Sequence, residues 1–274
     1  MSGGILDPQG PIASAERLIL FNATAIMLVV VAPVIVLTLF FAWRYRAGNT
    51  EAQYAPDWGY SGQIELLVWS VPAMVVILLA GVGWISSHQL DPARKIAAAV
   101  APLHVEVVSL DWKWLFIYPD LNVASVDELV LPTDTPVEFT LTSATVMTAF
   151  FIPQLGSQIY TMPGMQSHLN LLASQPGDFP GQAAHFSGDG FSRMHFLVHA
   201  VPAAEFARWR AQRQAAGPKL DAAAYALLAR PGSALQPQTF AAVDSDLFER
   251  ITHGTEVGAA APVARVAPVA AGDR

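Results

Sequence analysis

The chain has 274 residues, of which 53% are hydrophobic and 14% are charged, and its net charge at pH 7 is −7. Soluble globular domains carry about 25% charged residues, so the low charge content indicates a membrane protein, while the acidic balance argues against a nucleic-acid partner. The chain contains no cysteine, which excludes disulfides, thiolate metal ligands, a cysteine nucleophile and an S-linked lipid anchor.

A short N-terminal segment, residues 1–17, precedes two long apolar runs at residues 18–43 and 64–86. The first run has no charged residue, and the second has one, Glu65, near its start. A helix needs about 20 apolar residues to cross a bilayer, whereas the apolar part of a signal peptide is shorter and follows basic residues. The pattern therefore predicts two transmembrane helices joined by a loop, residues 44–63, with both termini on the same side of the membrane.

The hydrophobic pattern changes from about His104 onwards to short alternating segments separated by Pro, Gly, Asn and Asp. Short strands at close spacing are typical of a β-sandwich or barrel, so residues 101–202 are predicted to form an all-β domain. Residues 203–254 have apolar side chains at helical spacing and predict a short helical extension that contains aromatic residues. The Ala/Pro/Val-rich residues 255–274 predict a disordered tail.

Four aromatic residues fall within the stretch DWKWLFIYP, at Trp112, Trp114, Phe116 and Tyr118. In a regular strand all four lie on one face, because successive side chains alternate between the two faces. Such a face is either part of a packed core or a contact with another subunit. Both interpretations are favoured over a third, in which the four residues form an electron-input or docking patch.

The histidines of the β-domain give no strong metal signal from their spacing. His195 and His199 are four residues apart, which on one strand places them on the same face but about 13 Å from each other. That distance is too long for the two rings to share an ion directly. A zinc or mononuclear copper site would also need further ligands from elsewhere in the chain.

Glu65 has two interpretations on its residue type and place alone. A carboxylate at the edge of an apolar span is costly unless it reaches water or other protein groups. It is either a solvated side chain that stabilises the start of a helix through the helix dipole, or a group that takes up and relays protons. The span itself leaves both interpretations open.

Three stretches that follow the two spans make the chain resemble subunit II of the haem–copper oxidases, and most closely the quinol-oxidising branch, the cytochrome bo-type ubiquinol oxidases. These stretches are VSLDWKWLFIYP, FFIPQLGSQIYTMPGMQSHLNL and FSGDGFSRMHF. The resemblance runs from about Leu6 to about Ile251. It implies a cupredoxin-like β-domain outside the membrane, held by a two-helix hairpin and followed by a helical, aromatic-containing C-terminal extension.

The resemblance also concerns a copper site. Cytochrome c oxidases of this family bind a two-copper centre through the loop motif Cys-x-Glu-x-Cys-x-x-x-His-x-x-Met and an upstream histidine. In this chain the ligand positions are held by Thr148, Ser187, Asp189, Phe191, His195 and Val198. Both bridging cysteines are replaced, by Ser187 and Phe191, and a hydroxyl and a phenyl ring cannot stand in for the soft thiolates that select such copper. We therefore expect an empty loop and no metal in this chain.

The missing copper centre has a functional implication. In the quinol oxidases of this family, membrane-soluble ubiquinol donates electrons directly to a haem of subunit I. The resemblance therefore implies a subunit without cofactors in a proton-pumping complex that reduces O2 to water, with haems and copper in subunit I and with subunits III and IV as further partners. Two alternatives are a cytochrome c oxidase subunit, which the acidic β-domain would suit, and a membrane-tethered copper-binding cupredoxin.

The family motif Glu-x-x-x-Trp-Thr/Ser-x-Pro is matched by Glu65, Trp69, Ser70 and Pro72. In the family this glutamate lies at the cytoplasmic mouth of a proton channel of subunit I. The resemblance thus assigns proton uptake to Glu65. It also places the chain in the lipid of the bacterial inner membrane, with the hairpin loop in the cytoplasm and with the β-domain and both termini in the periplasm. Counts of Lys and Arg on the two sides do not decide this orientation.

Overall fold

The computed structural model describes residues 4–53, 57, 59–215, 217–232 and 237–254. The predicted disordered tail, residues 255–274, lies outside the described residues. The chain divides into two compact units. One is Ala15–Asp91, and the other combines the residues that precede Ala15 with those that begin at Pro92.

The first unit holds two helices that are long and apolar enough to cross a membrane, α1 (Pro11–Arg44) and α2 (Gly62–Gln89). Helix α1 begins at Pro11 rather than at Leu18, so the predicted N-terminal segment is helical over its last residues. Proline suits the first position of a helix because its missing N–H would have no partner there. The most apolar part of each helix has no buried residue, which leaves apolar side chains available to lipid or to other membrane helices.

The second unit is a β-sandwich of two sheets that enclose one apolar core. The six-stranded sheet has the order β12 (Gln238–Phe240), β3 (Val123–Val126), β2 (Lys113–Tyr118), β1 (Leu103–Leu110), β5 (Val137–Ser143) and β8 (Ser167–Leu171). The five-stranded sheet has the order β4 (Glu128–Pro132), β10 (His195–Val201), β9 (Gly177–Ala183), β6 (Thr148–Ile152) and β7 (Gly156–Thr161). Neighbouring strands are antiparallel, except that β1 pairs with β5 and β4 with β10 in parallel. The predicted all-β architecture behind two apolar helices is confirmed.

The C-terminal extension is more than the predicted helices. It contains α3 (Ala203–Ala215), α4 (Ala222–Leu228), α5 (Leu247–Thr252) and a two-stranded parallel sheet, β11 (Lys219–Leu220) with β13 (Ala242–Val243). Its remaining strand, β12, pairs with β3 and so enlarges the first sheet. Apolar side chains of α4, α5 and these strands pack on the outer face of β1, β2 and β3 and form a second core. The extension therefore covers one face of the sandwich.

Three of the four aromatic residues in the stretch DWKWLFIYP lie in a packed core, which was one of the two favoured interpretations. Trp114, Phe116 and Tyr118 are fully buried in the core between the two sheets, so the interpretation as a subunit contact is wrong for them. Leu115 points to the other face and is equally buried, beneath the extension. Trp112 is half-buried and lies in the turn before β2, at φ +67°, so it does not belong to the regular strand.

The segment that precedes α1 is hydrogen-bonded to the β-sandwich. The backbone N–H of Gln9 donates to the carbonyl of Gln154 over 2.7 Å, and the carbonyl of Gln9 accepts from the N–H of Ser174 over 2.8 Å. Gly10 follows directly, and a Cβ on this residue would lie 2.3 Å from the carbonyl oxygen of Leu172. Glycine is therefore needed here for a close backbone approach.

Candidate functional site: the former copper loop and Glu65

The positions that correspond to copper ligands lie at one end of the sandwich. Ser187, Asp189 and Phe191 belong to the loop between β9 and β10, and Thr148 begins the neighbouring strand β6. The backbone binds this loop to the sheet, because the N–H of Ala184 donates to the carbonyl of Ala149 over 2.9 Å. This hydrogen bond holds the start of the loop beside β6.

The two thiolate positions are filled by other contacts. The hydroxyl of Ser187 donates to the sulfur of Met194 over 3.9 Å. The ring of Phe191 packs against the inner core and makes an edge contact with Phe186, with 5.8 Å between the ring centroids. Neither side chain offers the anionic sulfur that a binuclear copper centre requires.

The remaining positions differ in burial and in the contacts that they make. Val198 is fully buried among core side chains, whereas His195 is exposed and its Nε2 lies 3.0 Å from the carbonyl oxygen of Ser192. Asp189 is exposed, and the hydroxyl of Thr148 donates to the carbonyl of His185 over 3.1 Å. Among the residues that the structure describes, no three His, Asp or Glu side chains form a group that could hold a metal ion. The side chains present therefore do not fit a copper centre.

Trp112 covers this loop, a contact that the sequence analysis missed. Its indole N–H donates to the carbonyl of Ser187 over 3.2 Å, and its ring lies directly over Gly190. A glycine two residues after another glycine, Gly188, was the available signal for a close approach of a large side chain. The loop is thus held by an indole and by packed phenyl rings.

Two charged groups next to this end of the sandwich have shifted pKa values. Burial raises the pKa of Asp127 to about 7, although the N–H of Trp114, which donates to its carboxylate over 2.7 Å, and the charge of Lys113 act in the opposite direction. Burial also lowers the pKa of Lys113, and the carboxylates of Asp127 and Asp111 limit that change. These groups brace the start of β2 beside the Trp112 turn.

Glu65 lies in the first turn of α2, one turn before Trp69. The indole N–H of Trp69 donates to the carboxylate of Glu65 over 3.3 Å, and both side chains are exposed. Free backbone N–H groups at the start of a helix favour a negative charge at this place. The hydrogen bond orients the carboxylate along the helix.

A two-sheet domain that follows two helices long and apolar enough to cross a membrane defines the class of a membrane-anchored, cupredoxin-like oxidase subunit II. The family model for the periplasmic domain of cytochrome c oxidase subunit II matches residues 118–201, and the model for the COX aromatic-rich motif matches residues 214–254. The chain is 46% identical to the cytochrome bo(3) ubiquinol oxidase subunit 2 of Pseudomonas aeruginosa over 261 residues, which cover 93% of this chain and 79% of that protein.

A second relative, the ubiquinol oxidase subunit 2 of Acetobacter aceti, is 45% identical over 90% of this chain and 81% of its own length. The crystal structure of the periplasmic domain of cytochrome oxidase subunit II from Bradyrhizobium japonicum is also similar, with a TM-score of 0.40 and 26% identity over 42% of this chain and 96% of that chain. The chain belongs to the ubiquinol oxidase subunit 2 family. The family resemblance and the cupredoxin-like fold predicted from the motifs are confirmed.

Proposed function

We propose that the chain is subunit II of a proton-pumping terminal ubiquinol oxidase that reduces O2 to water, and that it holds no redox centre of its own. The observation that carries this proposal is the occupation of both thiolate positions by Ser187 and Phe191, whose side chains are engaged in packing and hydrogen bonding. The similarity to two ubiquinol oxidase subunits 2 supports the same assignment. Electrons from ubiquinol then enter the complex directly at a haem of subunit I.

The role of the hairpin in this proposal is anchorage to subunit I. Helices α1 and α2 expose apolar side chains around their whole circumference within this chain. Membrane helices associate through close packing rather than through a hydrophobic driving force, because lipid tails are equally apolar. Helices of subunit I supply such a packing surface in this assignment, and subunits III and IV complete the complex.

The hydrogen bonds of the N-terminal segment support the proposed topology. Gln9 is bonded to Gln154 and Ser174, so the segment before α1 and the β-sandwich lie on the same side of the membrane. The two apolar helices between them return the chain to that side. We assign that side to the periplasm of a bacterial inner membrane, and the loop of residues 44–63 to the cytoplasm.

Glu65 has the proton-uptake role in this proposal. On the proposed topology it lies at the cytoplasmic end of α2, where a carboxylate can collect a proton from water and hold it beside apolar protein. The hydrogen bond from Trp69 keeps the carboxylate in one orientation. The alternative, a solvated carboxylate that only stabilises the helix start, would contribute about 0.3–1 kcal/mol.

The test is to purify the chain in mild detergent with its native partners, and to measure oxygen consumption with a soluble ubiquinol and with reduced cytochrome c. We expect a haem-bearing subunit to co-purify and ubiquinol to be the electron donor. Metal analysis of the separated chain discriminates the alternatives. Rapid oxidation of cytochrome c, together with two copper ions on this chain, would contradict the proposal.

A further inference from the structure

A cleft of about 370 Å³ lies at the seam between the sandwich and the C-terminal extension. One wall comes from β1 and β2, including Glu106 and Tyr118. The opposite wall comes from the extension, including Lys219 and Asp244. A group in this cleft is therefore partly covered by the extension, and only while the extension is docked.

Glu106 is the carboxylate that this arrangement encloses. It stands on the outer face of β1, and in the part of the chain that the structure describes its carboxylate has no hydrogen bond or ion pair. The nearest cation of the cleft, Lys219, is bound to Asp244 over 2.7 Å. Arg250, on α5, is likewise engaged with Asp244 and Asp246.

The groups that face Glu106 from the surrounding elements are mostly acidic. Glu249 approaches from α5, and Asp120 from the turn after β2. Asp120 is paired with His104, which also lies 3.6 Å from Glu138, and Glu138 is bound to Lys95. Glu249 contacts His253 over 3.2 Å and Gln166 over 3.4 Å. A negative charge on Glu106 thus has repulsive neighbours and no cation of its own.

We propose that Glu106 is a proton-operated latch for the C-terminal extension. When Glu106 is protonated, the cleft closes over a neutral group and α5 docks tightly. When Glu106 is ionised, repulsion from Glu249 and the loss of hydration weaken the docking. On the proposed topology, the latch responds to pH in the compartment into which the oxidase releases protons. The identity of that compartment rests on the proposed function, whereas the latch itself does not.

The direction of the pH response follows from the shift of Glu106. Burial, then Glu249 and Asp120, raise the pKa of Glu106 to about 7 from its ordinary value of 4.5. Because the carboxyl pKa is raised in the docked state, the contribution of Glu106 to the free energy of docking is complete at pH values below its ordinary pKa. This contribution is lost as pH rises through about 7. The docking equilibrium should therefore weaken about tenfold between about pH 6 and about pH 8.

The test is amide hydrogen exchange of the full-length chain in detergent, with protection factors of residues 242–252 corrected for the pH dependence of chemical exchange. We expect about tenfold lower protection at about pH 8 than at about pH 6. Glu106→Gln should show high protection at both values. Glu205→Gln, the same change at an exposed site of α3, is the matched control and should keep the native response.

Equal protection of the native chain at both pH values would overturn the proposal, and so would a native response in Glu106→Gln. If Glu106→Gln does not fold, Glu249→Gln decides, because Glu249 is exposed and tolerates the change. Removing its charge takes away one cause of the raised pKa of Glu106, so the loss of protection should move to lower pH and become smaller. An unchanged midpoint would reject the latch. The readout does not involve oxidase activity, so its failure is distinct from failure of the proposed function.

Discussion

The ammonium nitrogen of Lys113 lies 2.7 Å from the carbonyl oxygen of Leu228, the last residue of α4. It also donates to the carbonyl of Arg230 over 2.7 Å. Lys113 is buried at the start of β2, so one cation joins the sandwich to the extension. A positive charge at this place satisfies carbonyls that the end of a helix leaves without partners.

Lys113→Met should remove these two hydrogen bonds and keep an apolar side chain of similar length. Two carbonyls then lose their buried donor, and we expect the free energy of unfolding to fall by about 2–4 kcal/mol. Urea denaturation of the full chain in detergent measures the change. Lys219→Met, which removes an exposed lysine, is the control and should have little effect. An equally small effect at Lys113 would show that water replaces the ammonium.

Gly190→Ala should destabilise the former copper loop. A Cβ on Gly190 would lie 2.2 Å from Cδ2 of Trp112, and φ of Gly190 is −91°, which any residue adopts. The cost therefore comes from overpacking, and we expect about 1–3 kcal/mol. Thermal denaturation provides the measurement. The double variant Trp112→Ala/Gly190→Ala should lose less stability than the sum of the single changes; strict additivity would mean that the indole is not the obstacle.

Asp127→Asn should make stability less dependent on pH. Burial raises the pKa of Asp127 to about 7. Its contribution to the free energy of unfolding is therefore complete at pH values below its ordinary pKa of 3.8, and it is lost as pH rises through about 7. Asparagine tolerates the positive φ of this position, +57°, and its amide oxygen can still accept from Trp114. Relative to the native chain, the variant should gain on the order of 2 kcal/mol between about pH 5 and about pH 8. Parallel pH profiles would contradict this.

The full chain should bind no stoichiometric copper and develop no purple chromophore when Cu(II) is added. The positions of Ser187 and Phe191 lack thiolates, and Thr148 and Val198 are buried beneath their neighbours. Restoring Thr148→His, Ser187→Cys, Asp189→Glu, Phe191→Cys and Val198→Met together tests the framework. We expect copper uptake in this variant with a loss of stability, because larger side chains replace two buried ones. Binuclear copper in the native chain would contradict the prediction.

Glu65→Gln should slow the oxidase without disturbing its assembly. Glutamine keeps the size of the side chain and an oxygen that can accept from Trp69, but it cannot take up a proton. We expect normal haem content and a several-fold lower ubiquinol oxidase turnover, which corresponds to about 1 kcal/mol in the activation barrier. Glu51→Gln, in the loop between the helices, serves as the control. Full turnover of an intact Glu65→Gln complex would leave Glu65 with a structural role.

The sequence predicted the architecture because its main signals are local. Two long apolar runs, which together contain a single charged residue, are sufficient for two membrane helices, and alternating segments are sufficient for a sandwich. The assignment of Phe191 to a cysteine position of the copper motif rests on the family resemblance and stays a prediction. The prediction of the helix ends was less accurate. Helix α1 includes Glu16 and Arg17, because charged residues are compatible with a helix that extends beyond the hydrocarbon layer.

The contacts between distant segments could not be predicted in the same way. The even spacing of Trp112 and Trp114 suggested one strand face, but the turn at Trp112 breaks the alternation. Leu115 and Ile117 are buried because the extension covers them, and periodicity does not show which segment covers a sheet. The environment of Lys113 depends on residues more than 100 positions later in the chain, so no local pattern could reveal it.

The attachment of the N-terminal segment also constrains how the protein is made. The side-chain amide of Gln154 donates to the carbonyl of Asp7, a residue 147 positions earlier. On the proposed topology, this early segment crosses the membrane before its partners, in the turn between β6 and β7 and after β8, have been synthesised. On that topology, these partners become available only after both helices have inserted and the sandwich has been exported. Completion of this contact is consequently a late event in biogenesis, and a chain in which only one helix has inserted cannot make it.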